Sequence, residues 1–151
     1  MGTPARKLIL NNLGSTLATI TTGNGYNTTV ATVEAVGKGS GDMGSGLKPW
    51  VGYVPNQERF EYFPGGSIRA ILSLTIICHI DGATQSARST TLNNLLDDVI
   101  AVLAVDTRRG GSAICTTVTS VDTDEGSPDA NGFGSMVINV ECPYLRTSSS
   151  S

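Results

Sequence analysis

From Ser67 to Ile80 apolar residues recur at every second position, with Ile71 and Ile77 the two apolar residues on the other phase. Ile68, Ala70, Leu72, Leu74, Ile76, Cys78 and Ile80 share one phase, while Arg69, Ser73, Thr75 and His79 occupy the other. A period of two predicts a strand with one face in the core. Downstream, Leu92, Leu95, Leu96, Val99, Ile100 and Leu103 recur at spacings of three and four, which predicts a helix whose apolar stripe covers a sheet. Leu10, Leu13, Leu17 and Ile20 draw a similar stripe behind Pro4, a residue tolerated in a first helical turn, and Thr21-Thr22-Gly23 closes that pattern. Gly14, Thr16 and Thr19 lower the intrinsic propensity of this first helix, so packing must hold it.

The remaining segments predict strands at Tyr26 to Val36, Trp50 to Val54, Ser112 to Asp122 and Phe133 to Cys142, the last two as a long-looped hairpin. Pro55 and Pro143 are expected to stop their strands. The connections are a glycine-rich stretch at 37 to 49, the stretch from Asn56 to Gly66 with its aromatics Phe60, Tyr62 and Phe63, and an acidic stretch from Asp122 to Gly132. The order helix, strand, strand, strand, helix, strand, strand predicts an α+β fold: a mostly antiparallel sheet of about five strands with two helices packed on one face. A chain of 151 residues suits one domain, here 1–146, followed by a flexible serine-rich tail at 147–151.

Charge narrows the function. Only 15% of residues are charged and the net charge is -3, so the chain lacks the broad basic field of a nonspecific nucleic-acid binder. Cys78, Cys115 and Cys142 are odd in number and too far apart for a disulfide framework or a zinc site, so they read as small buried hydrophobes. No apolar run approaches the ~20 residues of a membrane span, and no basic segment leads into an apolar signal core. The expectation is a protein made in a cytoplasm, with no membrane association.

Candidate chemistry is sparse. His79 is the sole histidine, and an enzyme reading, a small hydrolase or isomerase, would use it with an acidic partner such as Asp81. No Gly-x-Ser-x-Gly elbow precedes a helix, and neither glycine-rich stretch holds the Walker lysine followed by Ser or Thr. Asp122, Asp124, Glu125 and Asp129 do not reproduce the twelve-residue calcium loop. Arg108 and Arg109 suit a helix C-terminus better than a nucleic-acid groove. No catalytic, cofactor-binding or metal-ligating set is predicted, and no cofactor.

The leading helix running into ATITTGNGYNTTVATV (Ala18 to Val33), the strand WVGYVP (Trp50 to Pro55), the long strand followed by LNNLLDDVIAVL (Leu92 to Leu103) and the closing pair of strands resemble the tail terminator, or tail completion, proteins of long-tailed bacteriophages. The resemblance spans almost the whole chain and rests on order and spacing. It implies a virion protein of the tail and neck, made in the host cytoplasm. Such a protomer assembles with itself into a ring, commonly a hexamer, on the end of the tail-tube protein. The ring stops tube growth and meets the head-tail connector or stopper protein, with genomic DNA only passing through its lumen. Another head-tail joining or tube-related virion protein is the alternative within this class. The stretches at 37 to 49 and 122 to 132 depart from a compact pattern.

On that reading Trp50, Arg59, Phe60, Tyr62 and Phe63 are the candidate interface anchors, because aromatics and arginine dominate such contacts. The competing reading has them closing the sheet's own core. Asp97, Asp98, Asp122, Asp124 and Glu125 are the candidate lumen-facing acids, since a cationic lumen would grip DNA.

Overall fold

A computed structural model describes residues 4–36, 48–124 and 133–147. Its centre is a five-stranded sheet in the order β1-β2-β3-β5-β4, with β1 Thr32–Glu34, β2 Trp50–Tyr62, β3 Ser67–Asp81, β4 Thr117–Asp124 and β5 Phe133–Thr147. The short β1 runs parallel to β2, and every other pairing is antiparallel. Helices α1 (Ala5–Leu17) and α2 (Gln85–Val105) complete an α+β protein.

The alternation in β3 decides the layering. Leu72, Leu74 and Ile76 lie opposite Cys142, Val140 and Ile138 of β5, so the apolar phases of the two strands share one face. Ile9, Leu13 and Leu17 of α1 and Leu92, Leu95, Val99 and Leu103 of α2 join them in a single core. Each fully buried Leu or Ile contributes roughly 1.5–3 kcal/mol, against a helix penalty of ~1 kcal/mol for Gly14, so packing wins in α1. That glycine also leaves room for the end of the Tyr53 side chain. A Cβ there would overlap the hydroxyl end of Tyr53, and its Cζ would lie 2.8 Å away.

Both helical stripes are rotated from the predicted ones. In α1, Ile9 is buried and Leu10 only partly so; in α2, Val102 is buried while Ile100 is 44% exposed. The Thr84 side chain accepts the Ala87 N–H at 3.1 Å, so α2 starts at Gln85, about two turns before the first predicted leucine, Leu92.

Neither proline stops its strand. β2 continues through Pro55 to Tyr62, and the expected connection from Asn56 shrinks to the four residues between β2 and β3. The Pro49 carbonyl accepts the Ala31 N–H, which sets the backbone alternation along β2 and turns the Pro55 nitrogen to the outer edge, beyond the end of β1. A register shift between Pro55 and Gln57 then resumes the pairing with β3. β5 likewise runs on past Pro143, whose carbonyl accepts the Ile114 N–H at 2.7 Å on the side away from β3. The missing proline donors therefore cost no bond to β3.

Two predicted strands are shorter. Only Thr32–Glu34 of the segment from Tyr26 pairs with β2, because the preceding residues are tied elsewhere: the Val30 N–H to the Ile20 carbonyl and the Asn27 N–H to Asp98. β4 begins at Thr117 and not at Ser112, since residues 106–113 wind into a turn closing α2. Arg109 sits there with φ of 50°, buried, and donates from Nη2 to the carbonyls of Leu103 (2.8 Å) and Asp106. A guanidinium on the last carbonyls satisfies groups that the helix leaves open.

Candidate interaction surface

β2 and β3 form a hairpin longer than the core needs. On β2 no residue past Tyr53 joins the core cluster, while Leu74, Leu72 and Ala70 of β3, opposite Pro55, Glu58 and Phe60, do, so only the end of the hairpin from Glu61 to Arg69 extends beyond the core as an arm. Register places Phe60 opposite Ala70 and Tyr62 opposite Ile68, on the helix-bearing face of the sheet. Tyr62 is 75% exposed, and Phe63, in the turn, is 48% exposed. The opposite face of the arm and its base is charged: Arg59 lies 3.6 Å from Glu141, and Arg69 lies 3.6 Å from Glu61. Such open pairs are worth ~0–1 kcal/mol, so they leave the surface free to exchange partners.

At the root of the arm Glu58 is nearly covered. It accepts the Tyr144 hydroxyl at 3.0 Å and lies 3.7 Å from Arg6, which ties the arm to β5 and α1. Beside it runs a groove of about 490 Å³ between α1 and β2, lined by Pro4, Arg6, Lys7, Leu10, Asn11, Ala35, Tyr53 and Pro55. β1 covers β2 only at Trp50 to Gly52, so among the described residues the groove borders an outer strand edge with no neighbour in the sheet.

Trp50 is separated from the other candidate anchors. It lies at the opposite end of β2 and is wholly buried, with its ring stacked on His79 at a centroid distance of 5.5 Å and its Nε1–H donating to Glu34 at 2.8 Å. Of the five candidates, Arg59, Phe60, Tyr62 and Phe63 share the arm and its base, and Trp50 packs inside the molecule. His79 is 6% exposed and opposite Trp50 in register.

The candidate lumen acids are divided as well. Asp98 is 2% exposed and accepts the Asn27 N–H at 2.9 Å, a structural tie between α2 and the segment before β1; it lines no surface. As a candidate lumen acid Asp98 fails, because the buried stripe of α2 is rotated toward it. Asp97 is exposed on α2. Asp122 and Asp124 are exposed on β4 opposite Val137 and Ser135, whose odd phase puts them on the face of the sheet away from the helices. Asp97 and the two β4 aspartates therefore lie on different faces of the fold, and Glu125 lies outside the described residues.

No protein-family model matches the chain, and no curated protein matches it. Among the described residues no group of three or more His, Cys, Asp and Glu is placed to hold a metal ion, and no helix is long and apolar enough to cross a membrane. Cys78 and Cys142 are buried and Cys115 is half-buried, all three as free thiols. Burial pushes the Cys78 thiol up to about 12. Burial also raises Cys142, opposed by the Thr116 hydroxyl and the Arg109 charge. The sequence nominated the arm's aromatics but placed them in a loop, because it ended β2 at Pro55; the groove went unseen because it forms where α1 meets β2, an approach that no local pattern contains.

Proposed function

We propose that this chain is a virion structural protein, a tail terminator that forms a ring on the end of a bacteriophage tail tube, stops its growth and joins it to the head connector. The arm carries this reading: a hairpin end that passes beyond the core and exposes Tyr62 and Phe63 is built for contact with another molecule. Its mechanism is steric. A ring subunit matches the tube end with one surface and withholds the surface that would recruit another tube ring, so that polymerisation halts; closed symmetry sets the copy number. The reading is non-enzymatic, in keeping with the enclosure of His79.

Light scattering on the purified chain, alone and mixed with tail-tube protein, tests it. A discrete ring, or a monomer that becomes one only on the tube, is expected. A chain that stays monomeric and ignores tube ends would overturn the assignment.

A further inference from the structure

We propose that the arm tip of one copy docks into the groove between α1 and β2 of the next copy. The inference rests on the ring reading and names the contact that would build the ring. The two surfaces fit each other in chemistry. Tyr62 and Phe63 stand exposed at the tip, and the only charge between Phe60 and Ile68 is the carboxylate of Glu61. The groove offers Leu10, Tyr53, Pro55 and Ala35 as apolar lining together with two cations, Arg6 and Lys7. An aromatic tip, whose one carboxylate is shared with Arg69 across the hairpin, thus meets an apolar cleft with positive charge. Its volume of about 490 Å³ falls within the roughly 300–1,000 Å³ of clefts that enclose small ligands, room enough for aromatic side chains.

A copy cannot fill its own groove. Pro55 and Phe63 flank the same extended segment, and at ~3.3 Å per residue the tip stands about 25 Å from the cleft. The contact is therefore between unlike surfaces of two copies. A head-to-tail contact of this kind repeats from copy to copy and either closes as a ring or runs on as a filament. Arg6 already lies 3.7 Å from Glu58, so Lys7 is the cation for Glu61 to engage; the half-exposed pair of Glu61 with Arg69 exchanges at small cost.

Light scattering over a concentration series, with the full chain, decides the matter. Phe63→Ser and Tyr62→Ser at the tip, and Lys7→Glu in the groove, are each expected to weaken self-association at least tenfold while circular dichroism stays unchanged. Glu61→Lys should do the same, and Glu61→Lys combined with Lys7→Glu should restore assembly. Wild-type rings that are indifferent to all these changes would overturn the arm-and-groove contact and leave the ring itself standing. A monomer at every concentration that binds tube protein through Tyr62 would overturn it too, assigning the arm to the tube. A monomer that binds no tube protein would remove the contact and the terminator reading together.

Discussion

Trp50 and His79 stack across the β2–β3 pair with their rings 29° from parallel and their centroids 5.5 Å apart, and they are the only tryptophan and the only histidine of the chain. Their fluorescence and NMR signals therefore report one site. His79→Ala is expected to cost roughly 1–3 kcal/mol through the lost stacking and the cavity left behind, and Trp50→Ala about 3–5 kcal/mol. Urea denaturation followed by circular dichroism measures both; a cost below ~0.5 kcal/mol for either would mean that the stack is not a structural element.

Gly52 lies under that stack. A Cβ at this position would overlap the Trp50 ring and the Val36 carbonyl oxygen, whereas the nearest group to a Cβ on Gly23 is the Thr21 hydroxyl at 3.8 Å. Gly52→Ala should destabilise by about 1–3 kcal/mol, and Gly23→Ala should change stability by less than ~0.5 kcal/mol. The difference in thermal midpoint between the two variants checks this.

Adjacent aspartates in α2 should behave oppositely. Asp98→Ala leaves the Asn27 N–H without its acceptor and is expected to cost about 1–3 kcal/mol, while Asp97→Ala on the open face should be nearly silent, within ~0.5 kcal/mol. Equal effects in chemical denaturation would contradict the placement of α2.

The cysteines predict an alkaline limit. In the folded chain the Cys78 thiol ionises only near 12, while in the unfolded chain it ionises near its ordinary value of 9.0. The folded state thus binds the proton more tightly, so the stabilisation is complete below pH 9 and is lost as pH rises from 9 toward 12. Denaturation at pH 8 and pH 10 should show the loss, and Cys78→Ala should reduce it. A thiol reagent at pH 8 should label the half-buried Cys115 first and reach Cys78 and Cys142 only on unfolding.

Much of this architecture was legible in the sequence, for physical reasons that can be named. The unbroken apolar phase from Ile68 to Ile80 fixed β3 and its helix-facing side, and the leucine spacing fixed α2, because each element keeps one continuous apolar side in the core. Helix phase was less legible. Buried Arg88 and Asp98 are polar, and they displace Ile100 from the stripe that hydrophobicity alone draws. The strand ends at Pro55 and Pro143 misled because a proline stops a strand only where its nitrogen faces a paired neighbour. That depends on the order of strands in the sheet, which no local window contains. Trp50 and the arm aromatics looked alike as anchors; only the length of β2 separates a ring enclosed at one end from rings exposed at the other.

The pairing of β3 with β5 joins residues 67–81 to 133–147 along their full length. Until Thr147 has left the ribosome, the middle strand of the sheet lacks one of its two neighbours, and the even-numbered side chains of β3 await half of their contacts. The hairpin with β2 and the helix α2 can assemble during synthesis, but the sheet closes last and across its longest loops. Folding of this chain should therefore be slow for its size, with a refolding rate set by non-local pairing, and early translation products should be held as hairpin and helix until β5 arrives.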